Sequence, residues 1–231
     1  MHDLIYNFFY SIDKRFPALN YSNHLTSLPV PYTIIDNFLP NDIYTAILQE
    51  TQNISNDKFT IFKNETSRRW ECRDFIEAPL TQTVFNSFYS PYFIKWLEKI
   101  SGLTKLLPDP YLRGGGYTKT ESGSQLGLHN DFNWNDQISL NRKLNLILYV
   151  NENWKQEWDG DLELWSFDKQ EVTKITPFPN RLVFWNYDER LIHGQPNSLK
   201  TPKHICRENF IVFYYQSNST WETPPHRSTF Y

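Results

Sequence analysis

The chain has 231 residues, of which 39% are hydrophobic and 21% are charged. This length provides for one substantial hydrophobic core and is short for two full-sized domains, so we expect a single domain over 1–231. Aromatic residues make up 17% of the chain, a content that excludes an intrinsically disordered protein. The net charge of −3, without any block of lysines and arginines, argues against a nucleic-acid partner.

The two cysteines, Cys72 and Cys206, form no C-x-x-C pair, which predicts ordinary thiols in a reducing compartment. The N-terminal segment lacks the basic region and cleavage site of a signal peptide. No apolar run reaches the roughly 20 residues that a membrane-spanning helix needs. These patterns predict a cytoplasmic protein with no membrane partner, and they leave the oligomeric state open.

Two helices stand out in the first 105 residues. Pro40 and the helically spaced apolar residues after it predict a helix over 40–52. Ser90 as the N-cap, Pro91 after it and Gly102 just past the last turn predict a second helix. Three strands are predicted around these helices: 32–36, 58–63 and 67–75.

From residue 106 onward, short alternating or apolar runs replace the helical period. Seven runs are predicted as strands: 111–118, 125–131, 143–150, 161–167, 171–176, 181–186 and 207–215. This pattern predicts a mainly β protein with some α structure, built on an antiparallel sandwich or jelly roll. The N-terminal helices are expected to pack on an outer face of that core.

Chemistry-bearing residues follow a cluster of glycines. Five of the eight glycines lie between Gly114 and Gly127, and His129 and Asp131 come directly after them. On an extended strand these two side chains point to the same side, which brings an imidazole and a carboxylate together. They are two-thirds of the two-His-one-carboxylate set that binds Fe(II) and leaves positions open. Alone, the pair is weak evidence, because a histidine beside an aspartate is also an ordinary hydrogen-bonded pair.

His193 is the candidate for the third ligand. It follows the predicted strand 181–186 by a short polar turn, which predicts a position near a strand edge. A histidine in such a place is more often a surface residue when nothing else accompanies it. Arg207 then opens the last apolar strand, and its guanidinium invites a carboxylate, either from a ligand or from the chain itself.

The order of these elements, over about residues 110–216, resembles the Fe(II)- and 2-oxoglutarate-dependent oxygenases, and most of all their prolyl 4-hydroxylase branch. The motifs that carry the resemblance are Gly116-Tyr117, Leu128-His129-Asn130-Asp131, Arg142 to Asn151, Trp158 to Leu164, Asn180 to Trp185, His193-Gly194-Gln195-Pro196 and Arg207.

The resemblance implies a double-stranded β-helix (jelly roll) catalytic core over 106–231, supported by 1–105. It implies a dioxygenase that uses Fe(II), 2-oxoglutarate and O2, with ascorbate as an optional reductant, to hydroxylate an unactivated C–H bond. Six residues match the family's site: the metal ligands His129, Asp131 and His193, and the cosubstrate-binding Arg207, Tyr149 and Tyr117.

The chain departs from the family pattern in three places. Arg207 lies farther from the preceding histidine than is usual, so Lys200 and Lys203 in the intervening loop are alternatives for its role. Asp159-Gly160-Asp161 replaces a Gly-Gly pair, a change expected to have little functional consequence. Ile211 stands where related enzymes carry a small polar residue.

The substrate is the least determined feature. The family indicates a prolyl residue in a peptide, while a free amino acid or another small metabolite is the alternative. Candidate substrate contacts are Asn133, Trp134, Asn186, Arg69 and Arg73, each of which is also explained as a solvated or packing residue. Two other classes of protein stay open: a non-catalytic jelly-roll module that binds carbohydrate on exposed aromatic residues, and a metal-dependent isomerase or hydrolase that needs no 2-oxoglutarate.

Overall fold

The computed structural model describes residues 1–18, 31–217 and 223–231. Its helices are α1 (His2–Tyr10), α2 (Ile12–Arg15), α3 (Asn41–Gln52), α4 (Pro79–Phe88) and α5 (Pro91–Ser101). Its strands are β1 (Tyr32–Ile35), β2 (Phe59–Lys63), β3 (Arg68–Cys72), β4 (Leu107–Pro108), β5 (Gly116–Thr120), β6 (Leu126–Asn130), β7 (Trp134–Asn135), β8 (Leu140–Tyr149), β9 (Leu162–Ser166), β10 (Val172–Ile175), β11 (Leu182–Asn186), β12 (Leu191–Gln195), β13 (Arg207–Gln216) and β14 (Thr229–Phe230).

In the described part of the chain, the strands form a larger sheet of nine and a smaller sheet of five. The larger sheet has the order β1-β11-β8-β13-β5-β3-β2, with β4 beside β13 and β7 beside β8, and the smaller has the order β10-β9-β12-β6-β14. Strands β5, β8, β11 and β13 of the larger sheet therefore alternate along the chain with β6, β9, β10 and β12 of the smaller. This alternation confirms the jelly roll and the mainly β fold class.

Strand β8 shows how the sandwich separates two hydrophobic clusters. Leu144, Leu146 and Leu148 belong to the cluster that includes the helical residues Phe93 and Trp96. The intervening Ile147 and Tyr149 belong instead to a cluster with side chains of β9, β10 and β12. Because successive side chains of a strand point to opposite faces, one face of the larger sheet carries the helices and the other faces the smaller sheet. The predicted packing of the N-terminal helices is confirmed.

The helix signals in the sequence act as predicted. The Ser90 hydroxyl accepts a hydrogen bond from the Phe93 amide at 3.3 Å, and Gly102 ends α5 in the left-handed region with φ 73°. Helix α4, which the sequence did not predict, begins instead with a tertiary cap. The Glu50 carboxylate of α3 accepts hydrogen bonds from the amides of Leu80 at 3.0 Å and Thr81 at 2.8 Å. None of the described helices is both long and apolar enough to span a bilayer.

Two departures from the predicted strands bear on the site. The strand predicted from residue 111 begins only at Gly116, because the Asp109 carboxylate accepts from the amides of Tyr111 and Arg113, both at 2.9 Å, and holds a turn. His193 does not lie near a strand edge: it is the central residue of β12, which is paired with β9 on one side and β6 on the other.

Candidate active site

The two predicted histidines meet through strand register. In the antiparallel pair of β6 and β12, His129 lies opposite His193, and their ring centroids are 4.4 Å apart. Asp131 follows β6 directly: its Oδ1 is 3.6 Å from Nε2 of His129 and its Oδ2 is 3.5 Å from Nε2 of His193. The three ligand atoms lie within 4.8 Å of one another, so a single ion could be bound by all three.

The histidines are held in the form that ligates a metal. Nδ1 of His129 lies 2.9 Å from the Gly127 carbonyl oxygen. Because a carbonyl only accepts, Nδ1 carries the proton, and the lone pair of Nε2 is directed to the site. Burial, only partly offset by Asp131, lowers the pKa of His193 to about 3, so its imidazole is neutral at physiological pH.

Asp131 is the ionised partner of these imidazoles. Burial alone would raise its pKa, but the charge of Arg142 and the neighbouring histidines outweigh burial and hold the pKa well below its usual range. Its Oδ2 accepts hydrogen bonds from Arg142 Nη1 at 2.7 Å and Asn145 Nδ2 at 2.9 Å. Two imidazoles and one carboxylate form a donor set that fits Fe(II).

Arg142 is the main site residue that sequence reasoning did not single out. Its side chain is fully buried between the rings of Phe132 and Phe213, with its guanidinium carbon 3.8 Å from each ring centroid. Within the described residues, Nε and Nη2 have no hydrogen-bond partner. The available signal was a cationic residue at the start of the apolar strand β8, the same signal that identified Arg207.

Arg207 begins β13 and points into the space between the sheets. Its Nε donates to the Gly160 carbonyl at 2.9 Å, Nη2 donates to the Tyr149 hydroxyl at 3.1 Å, and Nη1 donates to Asn209 Oδ1 at 3.3 Å. Among the described residues no carboxylate lies within ion-pair distance of this guanidinium, although the residue is only 8% exposed. A buried cation without a counter-charge is a strong carboxylate-binding group, which fits one end of 2-oxoglutarate.

The two alternative lysines are placed elsewhere. Lys200 pairs with Asp159 at 2.7 Å and its side chain is 69% exposed, while Lys203 is also exposed. Neither lines the cavity that contains Arg207.

Gly160 has a larger part in the site than its sequence suggested. Besides accepting from Arg207, it has φ 85°, and an added Cβ would come within 2.6 Å of Leu199 Cδ2 and 3.0 Å of Trp154. The turn therefore has a part in the site, since its backbone carbonyl accepts from the guanidinium, while the expectation that the replaced Gly-Gly pair has little functional consequence stays a prediction.

One cavity of about 560 Å³ connects these groups. The metal-ligand residues, Arg142 and Arg207 line it, and its apolar wall consists of Ile147, Leu162, Trp185, Ile211 and Phe213. Ile211 thus presents an aliphatic surface in the position where a small polar residue was the family pattern. Most of the surface of the cavity is apolar, and polar and charged side chains also line it, including the triad and both arginines.

The two predicted tyrosines differ in placement. Tyr149 is fully buried with its hydroxyl on Arg207. Tyr117 does not line the cavity: its hydroxyl donates to Glu208 Oε2 at 2.5 Å, and its ring packs against Phe59 and Phe210. Neither tyrosine lines the cavity itself, but Tyr149 is linked to it through Arg207, whereas Tyr117 is bonded to Glu208.

Of the five predicted substrate contacts, all within the described residues, Arg69 alone lines the cavity. Arg73 lies outside it and pairs with the buried Glu71. Asn186 donates to the Ser101 carbonyl at 3.1 Å, on the helical side of the larger sheet. Trp134 lies in the short strand β7 opposite Asn141.

Asn133 has a different use. It is only 4% exposed, and its side-chain Nδ2 donates to the Thr223 hydroxyl at 2.8 Å and the Pro224 carbonyl at 3.0 Å. Its side-chain Oδ1 accepts from the backbone amide of His226 at 2.9 Å. Asn133 therefore anchors the C-terminal segment rather than facing the cavity.

Comparisons with known proteins agree with this geometry. Residues 115–216 match the family model of the 2OG-Fe(II) oxygenase superfamily. No curated protein matches the chain by sequence. Among solved structures, a Pseudomonas putida prolyl-4-hydroxylase is similar with a TM-score of 0.60 and 16% identity, covering 87% of this chain and 99% of its own.

Two further structures share the fold. A Trichoplax adhaerens prolyl hydroxylase, in complex with a hypoxia inducible factor oxygen degradation domain peptide fragment, is similar with a TM-score of 0.58 and 19% identity, over 89% of this chain and 91% of its own. HygX from Streptomyces hygroscopicus, with nickel, 2-oxoglutarate and hygromycin B bound, has a TM-score of 0.52 and 11% identity, over 81% of this chain and 84% of its own.

The matched segment begins just before β5 and ends with β13, so it contains the triad, the buried arginine and the strands that join them. A His-Asp-His site and a cavity with an unpaired guanidinium fit Fe(II) and 2-oxoglutarate as cofactor and cosubstrate. The chain is therefore an enzyme of the 2-oxoglutarate-dependent dioxygenase type, and its residues 115–216 match the 2OG-Fe(II) oxygenase superfamily.

Proposed function

We propose that this oxygenase is a prolyl 4-hydroxylase-like enzyme that acts on a prolyl residue of a peptide. His129, Asp131 and His193 would bind the iron, and Arg207 with Tyr149 would bind the distal carboxylate of 2-oxoglutarate. The observation that carries the proposal is the buried Arg207 guanidinium, which lacks a carboxylate partner among the described residues and opens onto the same cavity as the triad.

Fe(II) and 2-oxoglutarate, when bound, supply the oxidising chemistry for C–H hydroxylation. The residues of the chain position and desolvate the reactants. Arg142 and Asn145 hold one oxygen of Asp131, which leaves the other free for the ion. The apolar wall with Ile147 and Ile211 excludes water around the cosubstrate.

A peptide substrate is supported by one neighbouring structure and by the residues that the cavity reaches. The Trichoplax prolyl hydroxylase was solved with a peptide fragment. In this chain the cavity extends past the metal residues to the β2–β3 hairpin on one side and to the C-terminal segment on the other. The hygromycin-bound HygX structure supports the alternative, a small-molecule substrate.

The family match and the neighbouring structures favour the oxygenase over the carbohydrate-binding alternative. Trp96, Trp154, Trp158 and Trp185 are buried rather than exposed. A cytoplasmic location stays a prediction, which the two free thiols support.

The test begins with anaerobic protein, Fe(II) and 2-oxoglutarate, which should give a metal-to-ligand charge-transfer band, and oxygen should then release succinate. Proline-containing peptides and free amino acids are then compared by the gain of one oxygen in mass. Hydroxylation of a peptide but not of free proline is the expected result. The band without any peptide product would overturn the substrate proposal, whereas His129→Ala should abolish the band and serves as the metal-site control.

A further inference from the structure

The active-site mouth is shaped by strands outside the jelly roll. Strands β5 and β6 are joined by the short turn 121–125, so the outer edges of the two sheets lie on the same open side. On that side β3 and β2 extend the larger sheet beyond β5, and β14 extends the smaller sheet beyond β6. Residues from both extensions line the cavity, including Phe62 and Arg69 from the first and Phe230 from the second.

The C-terminal segment 223–231 is fastened to this edge. Asn133 makes three hydrogen bonds to residues 223–226. Thr229 and Phe230 pair with Asn130 and His129 of β6, and the Tyr231 amide donates to the Leu128 carbonyl at 2.9 Å. A segment tied at both ends beside a metal ligand is a fixed wall of the site.

Phe230 is the residue of this wall that faces the metal centre. Its ring stacks on the imidazole of His129, with centroids 5.1 Å apart and an angle of 29° between the planes. It lines the cavity, yet 62% of the residue is exposed to solvent. A large aromatic surface left open at the mouth of an active site is unfavourable in water and becomes favourable when a ligand covers it.

Phe62 makes the opposite side of the mouth apolar. It is 45% exposed and lines the same cavity, with Arg69 over its ring at 5.5 Å. Exposed phenyl rings from the extensions of both sheets thus add apolar surface to the cavity that contains the metal residues. A compact apolar ring within an otherwise polar peptide, the pyrrolidine of a prolyl residue, fits such a surface.

We propose that Phe230 is a specificity-determining residue whose free ring face packs on the prolyl ring of the substrate beside the metal centre. The inference rests on the proposed function and adds a role for the C-terminal segment, which lies outside the stretch that matches the superfamily.

The test compares Phe230→Ala, Phe230→Tyr and the control Phe178→Ala on the best proline peptide. Phe178 is also exposed but lies outside the cavity. Because packing on the substrate would bury apolar surface of a residue that is now 62% exposed, we expect Phe230→Ala to raise KM about tenfold. We expect kcat and the charge-transfer band to stay near wild type, Phe230→Tyr to restore KM, and Phe178→Ala to leave it unchanged.

Three outcomes would overturn the inference. An unchanged KM in Phe230→Ala would show that the ring does not contact the substrate. Loss of the charge-transfer band in that variant would show that Phe230 acts by holding His129. If the wild-type protein forms the band but hydroxylates no proline probe, both the proposed substrate and the contact of Phe230 with a prolyl ring are contradicted. This result is distinct from the first two, because it is seen without any substitution.

Discussion

At the scale of single residues, the site depends on two buried arginines with opposite relations to carboxylates. Arg142 has its carboxylate within the chain, in Asp131, while Arg207 has none among the described residues. The first pair stabilises the metal-free site, and the second residue is left ready for a ligand. This difference leads to separate expectations for the two substitutions.

Arg142→Met should destabilise the protein, because Asp131 would remain buried without its counter-charge. Breaking a buried pair from one side typically costs about 3–5 kcal/mol, so we expect a loss of about 3 kcal/mol in the free energy of unfolding. Urea unfolding of the metal-free protein measures it. The double variant Arg142→Met/Asp131→Asn should lose less than Arg142→Met alone, and an equal or greater loss would contradict the ion-pair explanation.

Arg207→Met should weaken 2-oxoglutarate binding while leaving the metal site intact. A hydrogen-bonded charge pair contributes about 1.5–3 kcal/mol, so we expect the dissociation constant to rise roughly 10- to 100-fold. Anaerobic titration of the charge-transfer band measures this constant. Lys200→Met is the matched control, since Lys200 lies on the surface. If this control weakened 2-oxoglutarate binding to a comparable extent, Lys200 rather than Arg207 would be the residue that binds the carboxylate.

The neutral form of His193 makes the metal-free protein sensitive to acid. The pKa of this residue is about 3 in the folded state, against an ordinary value of 6.5, so the unfolded chain binds the additional proton between these pH values. Stability should therefore fall as the pH falls from about 6.5 towards 3. Across this pH range the denaturation midpoint of His193→Asn should fall less steeply than that of the wild-type protein. Equal slopes for the two proteins would contradict a role of His193 in the acid sensitivity.

At the scale of elements, the turn before β9 holds Arg207 through its backbone. Gly160→Ala combines a strained φ with close approaches to Leu199 and Trp154. We expect a loss of about 1–3 kcal/mol in the free energy of unfolding and weaker 2-oxoglutarate binding, because the carbonyl that accepts from Arg207 must shift. Gly123→Ala has a similar φ of 82° with nothing near its Cβ, so it isolates the backbone penalty. Equal effects of the two variants would show that the contacts around Gly160 do not matter.

Elements whose ends are marked by residues in their own sequence were predicted correctly, whereas elements that depend on contacts with distant segments were not. Helix α5 has Ser90, Pro91 and Gly102 in its own sequence, so its bounds could be read directly. Helix α4 has Pro79 at its first position but no capping side chain of its own: the carboxylate that caps it comes from α3, about 30 residues away along the chain. Strand β12 was missed because it is short and buried on both sides, which removes the alternation that marks a half-buried strand.

At the scale of the whole molecule, the alternation of strands between two sheets creates the site. It sets β6 against β12 and places β13 across the cavity from them, so three segments far apart in sequence supply the metal ligands and the cosubstrate arginine. The helices cover the other face of the larger sheet and leave the space between the sheets open at one side. Strands β2, β3 and β14 extend the two sheets at that open side, and we propose that the chain selects its substrate there.

The fold class could be predicted from the sequence, because turn residues and strand periodicity are local properties of the chain, and the resemblance to the oxygenases added the ligand types and the order of the site residues. Which of the candidates converge depended on packing. Tyr117 and Tyr149 carry the same side chain on β5 and β8, which both pair with β13, yet Tyr117 packs against Phe59 and Phe210 while Tyr149 contacts Arg207. Asn133, a predicted substrate contact, anchors the C-terminal segment instead, and Phe230, which the sequence did not single out, lines the cavity. Hydrogen bonding and stacking between distant segments are properties of the packed molecule, and local sequence does not encode them.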